Sequence, residues 1–312
     1  MISSRAPSTT RSEGAQGKEI ETMFSDLIQA IGAHRLRVHS IECFRNGVTV
    51  DAHDFAPADS RFPVYSSTKS FTSAAISIAA DEGKLDTDTP LAELLERRYL
   101  SFVPAAQREA FCKLPLSRFL TMSLPGYPFR PEGTDWLENV LSLPMDYTAA
   151  PAFHYSNIPA YLAGVACANA VGMHVMDYLK PRLLEPLGIH APVYQNDPQG
   201  RFMGATGMHL TLRELRPLGQ LYLQKGVYAG ERLISAERVQ QAVSPQIPNH
   251  KFGYGYYFWC EEHDGFFISG KWGQNCLVYP EKQLILTTLA DEPEQERADL
   301  LFSLIKDYAG QL

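Results

Sequence analysis

The chain has 312 residues, 45% of them hydrophobic and 20% charged, with a formal net charge of −7 and a sequence pI of about 5.7. Length alone suggests about two domains, and the composition is ordinary for a soluble globular protein with a real core. Lys and Arg are scattered rather than clustered, which argues against nucleic acid and favours a small-molecule or short-peptide substrate.

The first stretch, residues 1–18, is polar and rich in Ser, Thr and Gly. It reads as a disordered tail. It lacks the apolar region of a signal peptide, and no later stretch has the length of a membrane span, so a cytoplasmic location without membrane contact is expected. Residues 19–33 place Ile20, Met23, Phe24, Leu27, Ile28 and Ile31 at helical spacing. Val38, Ile41, Cys43, Val48 and Val50 are strand-like, and Asn46-Gly47 predicts a tight hairpin turn because both positions tolerate positive φ.

Residues 66–82 predict a second helix, stopped by Gly83. From about 100 to 245 the pattern is mainly helical, with a capping box at Thr211-x-x-Glu214. From about 252 the period changes: residues 252–260, 265–280 and 282–290 are aromatic or β-branched runs that predict strands. Residues 294–308 predict a closing amphipathic helix. Strands near both termini with helices between them predict an α+β fold, in which an antiparallel sheet is built from both chain ends and flanked by helices. The expected division is a sheet domain of residues 19–84 and 250–312, with a mainly helical domain of residues 85–249 inserted.

Five cysteines, Cys43, Cys112, Cys167, Cys260 and Cys276, show no CxxC or Cys/His ligand spacing. Free, mostly buried thiols are expected, and nothing in the sequence implies a metal or a cofactor.

Three segments carry the chemistry. The first is Ser66-Ser67-Thr68-Lys69. Serine needs a base within hydrogen-bond reach, and residues i and i+3 on a helix share a face. A helix N-terminus can also steady an oxyanion and lower the amine's pKa. Alone the motif is weak, since composition yields about one Ser-x-x-Lys in a chain of this length. The second is Tyr155-Ser156-Asn157, where a Tyr hydroxyl relays a proton if nearby cations lower its pKa, and an Asn amide orients a lysine and a carbonyl. The third is Ile268-Ser269-Gly270-Lys271-Trp272-Gly273-Gln274. A glycine in a strand often marks close approach of a ligand to backbone, and an N–H there would complete an oxyanion hole with that of Ser66.

This order of motifs resembles the penicillin-recognising serine hydrolases, and within them the class C β-lactamase branch. That branch includes DD-peptidases, carboxylesterases, D-amino-acid amidases and aminohexanoate-oligomer hydrolases. Residues 64–91, Leu183–Ile189, Thr211–Leu223, Gly230–Ser235 and the Gly270–Pro280 segment fall in the family's order, so the likeness runs over roughly 20–310. The resemblance implies a β-lactamase/transpeptidase-like fold. It also implies roles: Ser66 as acylated nucleophile, Lys69 as general base or its tuner, and Tyr155 as proton shuttle. Asn157 would hydrogen-bond Lys69 and substrate, with Ser269, Gly270, Lys271 and Trp272 beside the substrate and the N–H groups of Ser66 and Lys271 as oxyanion hole.

One departure matters. Ile268 stands where the family's β-lactamases and DD-peptidases carry a Lys or His, and strand alternation points Lys271 away from Ile268. The expected function is therefore amide or ester hydrolysis through an acyl-enzyme. A true β-lactamase or DD-peptidase, and a non-turnover penicillin-binding or sensor protein, are the alternatives. His154 is read as a loop-edge histidine, Asp86 and Asp88 as loop caps, and Trp136 and Trp259 as core. The GxSxG elbow, Walker loop, GxGxxG and HExxH patterns are missing. Oligomeric state is left open.

Overall fold

A computed structural model of the chain describes residues 23–312. The predicted tail, 1–18, and Ile20 lie outside the described residues. Residues 23–33 form helix α1, with Phe24, Leu27 and Ile31 buried at the predicted spacing. Strands β1 (Val38–Arg45) and β2 (Val48–Asp54) follow as a hairpin. Asn46 at φ 52° and Gly47 at φ 88° close it over the Arg45–Val48 pair, as the Asn-Gly signal predicts.

Helix α2 (Thr68–Asp81) starts two residues later than predicted, because Tyr65–Ser67 form a tighter 3₁₀ turn ahead of it. It ends at Gly83 in the left-handed region, with the Lys84 N–H on Ala79 O at 2.8 Å and the Gly83 N–H on Ala80 O at 3.0 Å. Every residue from Thr68 to Ala80 is buried. Its hydroxyls therefore need internal acceptors, and Ser70 takes Tyr257 O while Thr72 takes Gly204 O.

Helices α3 (Asn157–Val171) and α4 (Leu212–Leu223) stand out from the shorter helices of the central region. Both bonds of the predicted capping box are made, Glu214 N–H to Thr211 Oγ1 and Thr211 N–H to Glu214 Oε2. Strands β3 (Trp259–Cys260), β4 (Phe266–Gly270), β5 (Gln274–Tyr279) and β6 (Leu284–Ala290) complete the sheet, and α5 (Gln295–Gln311) closes the described chain.

The sheet is antiparallel, in the order β2-β1-β6-β5-β4-β3. The N-terminal hairpin thus seats against the C-terminal strand, with Cys43 opposite Leu286. This is the predicted α+β arrangement. Side chains alternate between two cores. Phe266, Ile268, Cys276, Val278 and Ile285 face the central helices, while Phe267, Leu277, Leu284 and Leu286 face α1 and α5. Because both faces are covered, the strands read as nearly continuous apolar runs.

The strand predicted at 252–260 is mostly absent; only Trp259–Cys260 pairs, with single bridges at Tyr254. Two glycines explain it. Gly253 sits at φ 110°, and a Cβ on Gly255 would collide with Ala242 O, so this segment bends closely against the preceding helix. All five cysteines are free, four of them buried. Among the described residues no single helix is long and apolar enough to cross a membrane.

Candidate active site

Ser66 lies in the 3₁₀ turn just before α2, and its hydroxyl is not spent on capping, since Ser67 is the N-cap and makes no side-chain cap bond. One turn on, Lys69 is 1% exposed. Its Nζ lies 3.0 Å from Ser66 Oγ, 2.7 Å from Asn157 Oδ1 and 2.8 Å from Ala205 O. Asn157 opens α3, where the Ser156 side chain caps the helix and also donates to Pro128 O. The Asn157 N–H reaches Phe129 O at 2.9 Å. The second segment is therefore tied both to a loop and to the buried lysine.

Burial lowers the Lys69 pKa to about 7. Desolvation is the cause, and Lys69 also lies in the first turn of α2, where the sequence placed it. A neutral amine has two N–H groups and one lone pair. Asn157 Oδ1 and Ala205 O can only accept, so they take the two N–H groups, and the lone pair is left for the Ser66 hydroxyl. Tyr155 also hydrogen-bonds Ser66, yet burial pushes its hydroxyl up to about 12. This corrects the expectation of a cation-lowered tyrosine: its proton stays on at neutral pH. Its ring lies 5.0 Å from Lys69 Nζ and stacks on Trp259 at 5.6 Å.

The third segment forms a hairpin in which Gly270 pairs with Gln274 across the turn 271–273. A Cβ on Gly270 would collide with Val64 O. The chain leading into Ser66 is by itself enough to demand the glycine. This contact brings the end of β4 beside the nucleophile turn. The hydroxyl of this segment is engaged within the sheet, where Ser269 Oγ donates to Asn275 Oδ1 at 3.0 Å. Lys271 is exposed, with its ammonium 4.3 Å from the Trp272 ring. Ile268 is fully buried in the core facing the central helices, so an apolar side chain and not a cation occupies that position.

A cleft of about 480 Å³ joins these parts. Ser66, Tyr155, Ser269, Gly270, Lys271 and Trp272 all line it, whereas Lys69 and Asn157 lie behind its wall. Sequence reasoning missed Phe129, His250, Lys251, Trp259, Phe267 and Phe302, which also line it. Trp259, read as core, was open to assignment only once the bend at 253–255 was known. The α5 residues arrive purely by tertiary packing. The Ala205 carbonyl leaves no side-chain signal at all. A larger hollow of about 600 Å³, lined by residues such as Glu93, Gly164 and Arg201, holds neither Ser66 nor Lys69. His154 bonds Tyr127 O at 2.8 Å, and Asp86 accepts from the Asp88 N–H, as expected of a loop histidine and a loop cap.

Among curated proteins none matches the sequence. Solved structures similar to the chain include a β-lactamase from Sulfitobacter sp. EE-36, at 17% identity and TM-score 0.74, covering 95% of this chain and 99% of that one. A putative 6-aminohexanoate-dimer hydrolase from Bacillus anthracis aligns at 17% identity and TM-score 0.69, covering 90% and 80%. A penicillin binding protein from Bacillus halodurans aligns at 18% identity and TM-score 0.69, covering 90% and 99%. These likenesses establish the fold. Residues 26–309 match the family described as Beta-lactamase, and with the fold and the ordered site in place the chain belongs to that family.

Proposed function

We propose that the protein is a serine hydrolase that forms an acyl-enzyme on Ser66 and cleaves an amide or ester bond in a small molecule or short peptide. The observation that carries this reading is the buried Lys69 amine, 3.0 Å from Ser66 Oγ and held by two acceptor-only oxygens. Among the described residues Lys69 has no carboxylate partner, a costly burial, and a pKa near 7 suits a general base at neutral pH.

In acylation the Lys69 lone pair takes the Ser66 proton as Oγ attacks the carbonyl carbon. The oxyanion is held by the N–H groups of Ser66 and Lys271. The tetrahedral intermediate then collapses: the bond to the leaving nitrogen or oxygen breaks. The proton held on Lys69 is returned to the leaving group through the Tyr155 hydroxyl, which stays protonated overall. Water repeats the sequence on the acyl-enzyme, with Lys69 as base and Ser66 as leaving group. No cofactor takes part in these steps.

The cleft lining supports a substrate with an apolar or aromatic portion, because Phe129, Trp259, Phe267, Trp272 and Phe302 surround the space next to Ser66. The buried Ile268 argues against efficient turnover of β-lactams or D-Ala peptides, whose carboxylate meets a cation at that position in relatives. The test is intact-mass spectrometry with a nitrophenyl ester, a D-amino-acid amide and benzylpenicillin, beside Ser66→Ala. A transient adduct on Ser66 with product release is expected from the ester or the amide. A permanent adduct from benzylpenicillin without turnover of the others would replace the reading with a penicillin-binding or sensor role. Equal turnover by Ser66→Ala would remove it altogether.

A further inference from the structure

We propose that the rings of Tyr65 and Trp272 form a brace that aligns the two oxyanion donors, which makes both residues positioning residues. The proposal rests on the acyl-enzyme reading above. Each residue adjoins one donor. The peptide joining Tyr65 to Ser66 carries the Ser66 N–H. Trp272 follows Lys271 in the three-residue turn between paired Gly270 and Gln274. Both lie in the left-handed region, Tyr65 at φ 45° and Trp272 at φ 70°. A residue with a Cβ, above all an aromatic one, disfavours that conformation and keeps it only where its surroundings impose it.

The surroundings meet between the two rings. They pack edge to face, with centroids 5.1 Å apart and planes at 73°. The Trp272 indole N–H is buried and has no hydrogen-bond partner among the described residues, so packing rather than a polar tether sets this ring. Behind it the turn is anchored at the backbone. The Glu292 N–H donates to Trp272 O at 3.1 Å, and the Gln274 amide donates to Lys271 O at 3.3 Å and to Ala290 O. Glu292 is itself fixed, its buried carboxylate accepting from Arg297 Nε at 2.7 Å and from the Arg37 N–H. On the other side the Ser67 N–H donates to Val64 O, and the Val64 N–H to Met208 O. Two separately anchored turns are thus joined, beside the nucleophile, by one ring contact and by the close seating of Gly270 on Val64 O.

A misaligned oxyanion donor weakens the transition state far more than the bound substrate. The variant to make is Tyr65→Gly, since glycine takes a positive φ freely while the ring is removed. With 4-nitrophenyl acetate, kcat is expected to fall about 10–100-fold, somewhat less than on deleting a donor outright. KM should move by less than about threefold, and Tyr65→Phe should restore kcat to within about threefold of the parent. Affinity for phenylboronic acid, whose tetrahedral adduct places an oxygen between the donors, should fall in step with kcat. A kcat that holds in Tyr65→Gly, a failure of Tyr65→Phe to restore it, or an unmoved boronate affinity would overturn the brace. If Tyr65→Gly does not fold, Tyr65→Asn carries the same comparison, because Asn also tolerates the left-handed region. Ser66→Ala is measured alongside. Loss of activity there with an unaffected Tyr65→Gly defeats the brace alone. Activity surviving in Ser66→Ala, or none in the parent protein, defeats the acyl-enzyme reading and the brace with it.

Discussion

The two halves of the site are built on different physical terms. The Ser66–Lys69 half is a matter of side chains: one turn separates them, and α2 is buried from Thr68 to Ala80, so the amine lies under the hydroxyl and loses its charge easily. The Gly270–Gln274 half is a matter of backbone. Its proposed contribution is an N–H: Ser269 and Gln274 bond within the sheet, Lys271 is exposed, Trp272 packs on Tyr65, and its glycine answers to a carbonyl in a distant segment. Chemistry done by side chains leaves a spacing in the sequence. Chemistry done by backbone leaves only a steric trace, a residue that has to be small.

Substitutions should separate the halves by size of effect. Ser66→Ala is expected to remove acylation, lowering turnover about 10³-fold or more, as measured by release of nitrophenol. Lys69→Met should follow with a loss of about 10²–10⁴-fold in the acylation rate, the usual worth of a positioned general base. Gly270→Ala should instead act on the fold, because its Cβ would press on Val64 O. Thermal or urea unfolding should show a destabilisation of about 1–3 kcal/mol, accompanied by a drop in activity. Lys271→Ala should be the mildest, about threefold in kcat, since the backbone N–H survives. If Lys271→Ala were as damaging as Lys69→Met, the contrast between side-chain and backbone chemistry would be wrong, and the Lys271 ammonium would have to be brought into the mechanism.

The same contrast explains what could be read beforehand. The α+β plan was legible because Asn46-Gly47, Gly83 and Thr211-x-x-Glu214 are local signals that act where they stand, and all three are used as predicted. Ser66, Lys69, Tyr155 and Asn157 were legible because helix geometry and a recognisable order of motifs place them together. Residues 252–260 misled, because apolar alternation in FGYGYYFWC looks the same whether the segment pairs or bends. Only the seat of Gly255 against Ala242 O decides it. The direction of the Tyr155 shift was also misjudged, since burial rather than nearby charge dominates there. The wall supplied by α5, Phe302 among it, depends on how the last helix crosses the sheet, and no local pattern encodes that.

The central claim is that neutral Lys69 activates Ser66. The measurement that tests it most directly is the pH dependence of Ser66 acylation by a nitrophenyl ester, followed as adduct formation by intact mass. The base works when deprotonated. The rate should therefore fall about tenfold for each pH unit below the Lys69 pKa of about 7 and level off above it. Tyr155, protonated up to about 12, should add no second transition in the range between. A single rise centred near 7, lost in Lys69→Met, is the predicted result. A rate that climbs steadily to pH 10, or an adduct that forms equally well on Ser66→Ala protein, would contradict it.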